Sequence, residues 1–142
     1  MRNIDKELTT KKLQELHAYT NNLKEFFGMD KSIFIDDHHN FGLAEHYLQL
    51  SIEIILDISR HLVLALDLKM PDEAHGLFPL LAKKKVLSEN FALRNAKMPG
   101  FRNRLVHHYS DIDHEKVYEY LKEHLEDFED FMRQISRYLK NQ

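Results

Sequence analysis

Residues 47–68 read YLQLSIEIILDISRHLVLALDL, and this stretch decides the fold class. Leu48, Leu50, Ile52, Ile54, Ile55, Leu56, Ile58, Leu62, Val63 and Leu64 are distributed nearly all round a helix. A helix of that kind belongs at the centre of a bundle. Glu53, Asp57, Arg60 and His61 interrupt the run, which makes it a core helix and not a membrane span. Four glycines and three prolines in 142 residues signal few turns and favour long helices over a many-stranded sheet. No segment alternates with period two. The expectation is an all-α, antiparallel helical bundle of four to five helices plus short connecting helices, with residues 1–142 forming a single domain.

Working outward, Leu13, Leu16, Thr20, Leu23 and Phe27 follow helical spacing. They predict a first helix from Thr9 or Thr10 to Phe27, stopped by Gly28 in a left-handed conformation. A connection from Met29 to about Asp37 leads into the central helix, which runs to about Leu68. Pro71 is expected to end that helix or to start the next, which covers about Asp72 to Lys84. Ser88 is the predicted N-cap of a helix reaching about Met98, where Pro99-Gly100 should bend or break the chain. Phe101 to Tyr109 is expected to be helical again. Asp111 or Asp113 should cap the last helix, whose stripe is Val117, Tyr120, Leu121, Leu125, Phe128, Met132, Ile135 and Leu139.

Composition narrows the class. Hydrophobic residues make up 43% and charged residues 30%, the mix of a soluble globular protein. With no cysteine, a disulfide framework, a zinc–thiolate site, an iron–sulfur cluster and a cysteine nucleophile are excluded. No apolar segment follows Met1 to Asp5, so a cytoplasmic location is expected. The net charge of −3 is unevenly spread. Lys83 to Tyr109 carries seven basic residues against one acid, a local +6, which leaves −9 for the remainder. Such a strip attracts phosphate if it faces a ligand, and is a solvated helix face if it does not.

Within that strip, residues 101–109 read FRNRLVHHY. An arginine five positions before a histidine arises by chance about 0.5 times in a chain of this composition. Requiring Asn directly after the arginine and Tyr two after the histidine lowers this to about 0.001. The chemistry is coherent. Metal-independent RNA cleavage needs a group that moves protons near neutral pH, which suits His107. It also needs a fixed cation for the charged phosphorane, which suits Arg102. Asn103 lies four residues before His107 and is placed to orient it. Arg102 and His107 are about 140° apart on an ideal helix, so two copies across a twofold axis would converge better than one. The competing structural reading is an exposed helix end with cations near its negative pole.

The pattern Arg102-Asn103-x3-His107-x-Tyr109 resembles the motif of HEPN-domain ribonucleases in the form used by HepT toxins. Leu48 to Glu53 and Asp57 to Leu62 resemble that family's central helix, and Gly100 to His107 its signature segment. Asp111-Ile112-Asp113 before a long amphipathic helix also fits, so the likeness extends from Phe34 to the C-terminus. Pro99 before the signature glycine is a departure that bears on local helix geometry. The resemblance implies a toxin of a toxin–antitoxin pair, an endoribonuclease acting at a homodimer cleft and leaving a 2′,3′-cyclic phosphate. It implies Arg102, His107 and Asn103 as catalytic residues. The implied partner is an MntA-like nucleotidyltransferase antitoxin that transfers AMP to Tyr109, with ATP serving only as its AMP donor; the toxin itself needs no cofactor. The substrate would be transfer or messenger RNA.

Other polar residues are weighed against this site. His46, Gln49, Glu53, Asp57 and Arg60 form a seam on the central helix, read as an internal salt-bridge network joining Glu53 or Asp57 to Arg60 or Arg102. Glu53, Asp57 and Arg60 could thereby support Arg102. Lys97, Arg104 and His108 are candidate RNA contacts, and Lys83-Lys84-Lys85 reads as a solvated helix end. Asp36-Asp37-His38-His39 and Asp111 with His114 suggest metal ligands, but the paired Glu-x-x-His motifs of a di-iron bundle are missing, and no metal is expected. The alternative function is a non-catalytic helical partner that presents a substrate to a nucleotidyltransferase.

Overall fold

The central helix, α3, spans His38–Ala65 and packs against most of the rest of the chain. Leu48, Ile52, Ile55, Ile58, Leu62 and Val63 are buried on it, as its near-continuous apolar sequence requires. The structure is a computed structural model and describes residues 3–107 and 112–142. The bundle is built from α1 (Lys6–Phe27), α3 and α7 (His114–Lys140), with α1 running opposite to the other two, and from the shorter α6 (Met98–His107). The contacts set these directions. Lys12 reaches Asp57 and Tyr19 stacks on Tyr47, so α1 opposes α3. Lys6 reaches the carbonyl of Gln142 while Lys24 reaches Glu129, so α1 also opposes α7. Three short helices serve as connections: α2 (Lys31–Asp36), α4 (Leu77–Lys83) and α5 (Glu89–Arg94), with a 3₁₀ turn at Ala74–Gly76. No strand occurs among the described residues. Among the described residues no helix is long and apolar enough to cross a membrane.

Several boundaries depart from the sequence reading. α1 begins three residues earlier than Thr9, because the Asp5 side chain accepts from the Leu8 N–H at 2.9 Å and caps the first turn. Gly28 follows α1 with φ −89°, so the helix stops without a left-handed residue. The connection expected over residues 29–37 contains α2, which buries Phe34 against Phe26 and Tyr118. α3 ends at Ala65, well before Pro71. Its stop is a left-handed Asp67 (φ 57°), with Asp67 N–H bonded to the Leu64 carbonyl and Leu68 N–H to that of Val63. Lys85 (φ 63°) ends α4 in the same way and turns Val86 into the core. In both places a non-glycine residue accepts the left-handed conformation because the paired carbonyl bonds, and the apolar residue behind it (Leu68 partly buried, Val86 buried), offset the strain.

Ser88 does cap α5, its hydroxyl accepting from Phe91 N–H at 3.0 Å, but α5 ends at Arg94 and not near Met98. Pro99-Gly100 neither bends nor breaks a helix; it lies in the first turn of α6, where a missing N–H costs nothing. Asp113 caps α7, accepting from Glu115 and Lys116 N–H. Asp111 lies outside the described residues. The predicted stripe of α7 faces inward, with Leu121, Phe128 and Ile135 fully buried. Phe78, Phe91 and Phe131 form the apolar contact between the short helices and α7, with ring centroids 5.2 and 5.7 Å apart.

Candidate functional site

Arg102 lies in the second turn of α6, and α6 is pinned from behind. Phe101 stacks flat on Tyr120 of α7 at 3.8 Å, with the ring planes 5° apart. Leu105 is buried. With those two residues turned inward, Arg102 points to α3, where its guanidinium donates to a Glu53 carboxylate oxygen at 3.1 Å. Gln49 donates to the same oxygen at 3.2 Å. Arg102 also donates to the amide oxygen of Asn103 at 3.2 Å. The Arg102 and Glu53 side chains are each 31% exposed, so the pair sits at the surface edge of the α3–α6 contact.

The seam on α3 is therefore placed differently from the internal network expected of it. Asp57 and Arg60 are exposed and pair with each other at 3.3 Å, not with Arg102. Lys12 approaches Asp57 from α1 at 3.8 Å. Leu43, His46, Leu50, Glu53, Asp57, Arg60 and Leu64 repeat at alternate spacings of three and four along α3. This stripe is open, with Leu43 and Leu64 43% and 45% exposed. A helix otherwise buried thus leaves one heptad-spaced face uncovered, and Arg102 borders it.

The rest of the motif is only partly described. His107 closes α6, and its side chain, His108 and Tyr109 lie outside the described residues. Asn103, Arg104 and Lys97 are exposed and line a groove of about 1170 Å³ between α6 and α7. Every residue from Pro99 to Leu105 except Arg102 lines it, so Arg102 and the groove lie on opposite sides of α6. Lys83, Lys84 and Lys85 are exposed at the end of α4.

Other polar clusters emerge that the sequence reading missed. Asp127, buried on α7, receives both Nε and Nη2 of Arg94 at 3.1 Å and the Nδ1 of His124 at 2.9 Å. Arg94 also donates to the Glu123 carbonyl. The cluster ties α5 to α7 beneath Tyr120, whose ring lies 4.5 Å from that of His124. Burial and the nearby carboxylates push the Tyr120 phenol well above its ordinary range. Its hydroxyl has no hydrogen-bond partner among the described residues. His114 pairs with Glu45 of α3 at 2.6 Å and stacks on Phe41. Burial pushes the Glu45 carboxyl up, with His114 opposing that shift. Asp127 lies three residues after His124, a helical spacing that could have suggested the pair, but its link to Arg94 spans 33 residues. Asp37, His38 and His39 come together in an exposed group at the start of α3, where Asp37 already caps the His39 N–H.

With this geometry in view, the comparisons are specific. The family model described as Ribonuclease HepT-like matches residues 16–135. The chain belongs to that family, the HepT-like ribonucleases, as the motif resemblance implied. It is 29% identical over 139 residues to the tRNA nuclease HepT of Aphanizomenon flos-aquae, covering 98% of this chain and 95% of that one. It is 27% identical over 122 residues to the mRNA nuclease HepT of Shewanella oneidensis, covering 86% and 84%. Among solved structures it resembles a tri-AMPylated HEPN toxin of Shewanella oneidensis in complex with an MNT antitoxin, with a TM-score of 0.81 and 27% identity over 96% of this chain and 99% of that one.

Proposed function

We propose that this chain is the toxin of a toxin–antitoxin pair, a cytoplasmic, metal-independent endoribonuclease that works as a homodimer through Arg102 and His107. The observation that carries the proposal is the half-open Arg102–Glu53 pair bordering the uncovered stripe of α3. A guanidinium held in place by a carboxylate, yet still accessible, is poised for a phosphate. A second copy docking on the same stripe would bury Leu43, Leu50 and Leu64 and bring two motifs to one cleft.

In that cleft the substrate's 2′-oxygen attacks phosphorus and the bond to the 5′-oxygen breaks. The products are a 2′,3′-cyclic phosphate and a 5′-hydroxyl. One imidazole removes the 2′-hydroxyl proton and another delivers a proton to the departing 5′-oxygen, so paired His107 residues from two protomers fill both roles. Arg102 stabilises the extra negative charge on the phosphorane. Asn103 bonds the Arg102 guanidinium and so supports it directly, in addition to the role toward His107 that its spacing suggests.

Control falls to a nucleotidyltransferase antitoxin, with Tyr109 as the AMP acceptor. The tri-AMPylated Shewanella toxin supports this reading. Added phosphate and bulk two residues from His107 would exclude an RNA phosphate by charge and size. The test is His107→Ala. The variant should fold as the parent does by circular dichroism, while losing both growth arrest and RNA cleavage. Undiminished cleavage would remove His107 from the mechanism, and growth unaffected by the parent chain expressed alone would favour a non-catalytic partner.

A further inference from the structure

The groove between α6 and α7 is sorted by charge. Its α6 wall presents Lys97, immediately before the helix, and Arg104 within it, seven residues and about 10 Å apart along the axis. Neither has an ion-pair partner among the described residues. The α7 wall presents Glu119 and Glu123, one turn apart, with Lys116 and Asp113 toward its N-terminal end. Glu119 shares Lys31 with Glu115, and the Glu123 carboxylate lies 3.7 Å from His124. Leu93, 79% exposed, stands at the rim. The fourth cation of the groove, Arg94, is already committed to Asp127.

We propose that this groove is the path of the single-stranded RNA once it has passed round α6 from the scissile phosphate on the Arg102 side, with a defined polarity across the groove. This rests on the ribonuclease reading above. Lys97 and Arg104 take backbone phosphates, because they are unneutralised and continue the helix that carries Arg102 and Asn103. The backbone is kept from the α7 wall by its carboxylates, so the bases face α7. Glu119 and Glu123 accept hydrogen bonds from exocyclic amino groups, the donors that cytosine and adenine carry and uracil lacks. Leu93 offers an apolar surface for a splayed base. Single-stranded recognition of this kind reads the Watson–Crick edge, which a duplex conceals. Cleavage therefore favours cytosine or adenine over uracil at the nucleotides that reach the groove, a few positions from the cut.

The experiment uses the purified full chain and two fluorescent single-stranded oligoribonucleotides that differ only in cytidine or uridine around one position. The parent should cleave the cytidine substrate with a kcat/KM roughly tenfold higher. Glu119→Ala with Glu123→Ala should bring the two substrates within about twofold of each other, the gain of one lost discriminating contact removed. Lys97→Gln with Arg104→Gln should lower cleavage of both substrates alike. It should also flatten the salt dependence of binding by about 1.4 in the log–log slope, two phosphate contacts at about 0.7 each. A cytidine preference that survives the glutamate variant overturns the assignment of the α7 wall, as does a parent that cleaves without base preference. Groove variants that cleave normally but no longer copurify with the antitoxin overturn it in favour of a protein interface. A parent that cleaves neither oligonucleotide nor total RNA overturns the ribonuclease reading itself.

Discussion

Two arginine–carboxylate pairs lie either side of α6, and they are built to opposite ends. Arg94 meets Asp127 through two parallel bonds of 3.1 Å, with the Asp127 side chain 10% exposed and His124 filling its remaining capacity. Arg102 meets Glu53 through one bond of 3.1 Å, with both side chains 31% exposed. In the first pair the carboxylate is the buried partner, while the Arg94 side chain stays 42% exposed; a two-bond grip on a buried carboxylate is a clamp between helices. The second leaves donors of the guanidinium facing an open edge, where a phosphate can compete for them. Like chemistry thus serves architecture in one place and is available for binding in the other, and the difference lies in the carboxylate: Asp127 is 10% exposed and holds its arginine by two bonds, Glu53 is 31% exposed and holds its arginine by one.

The sharpest way to break this contrast is Arg102→Ala. RNA cleavage should fall by about 10²–10³-fold, the cost of losing a preorganised donor to transition-state charge. Stability in urea should change by less than about 1 kcal/mol, as expected for a partly exposed pair. A variant that is active, or one that unfolds, would show that the pair is architectural after all. Asp127→Ala should do the reverse. Loss of the clamp and of the His124 bond should destabilise the chain by about 2–3 kcal/mol in urea melts. Cleavage per folded molecule, assayed well below the melting temperature, should stay near the parent's; a selective loss of activity would place this cluster in the site.

A third carboxylate pair, Glu45 with His114, sharpens the contrast through pH and should give the smallest effect. Burial raises the folded pKa of Glu45 above its unfolded value. The folded chain then binds this proton more tightly, so the contribution of Glu45 to stability is greatest below the unfolded pKa and declines as pH rises to the folded one. Glu45→Gln should remove that decline. Urea melts of parent and variant from the acid carboxylate range to neutrality should show the parent losing stability relative to Glu45→Gln as pH increases. A constant difference across that range would mean that the His114 partner offsets burial completely, and a parent that gains stability with pH would mean that it outweighs burial.

Much of this molecule was legible along the chain because the signals are short-range. The all-round apolar run of 47–68, the stripe of α7 and the caps Ser88 and Asp113 each depend on residues within a few positions of one another. The motif was legible for the same reason: Arg102, Asn103 and His107 fall within two turns of one helix. Misplaced boundaries mark the limits of such signals. α2 is six residues long, too short to display a period. Asp67 and Lys85 take left-handed stops where a glycine would be sought, because bonds to α3 and α4 hold them there. Pro99 reads as a breaker until α6 is seen to begin at Met98.

Local order along the chain was enough to set the main helices, their inward stripes and the family to which the motif points. Which side of α3 stays uncovered, which arginine is gripped by a buried carboxylate and which by a half-open one, and that α6 turns Arg102 one way and Asn103 and Arg104 the other, were decided only by packing. Those facts depend on contacts such as Glu53 with Arg102 and Arg94 with Asp127, 49 and 33 residues apart. Periodicity and capping act within a turn or two, whereas burial of a charge depends on every helix that folds over it.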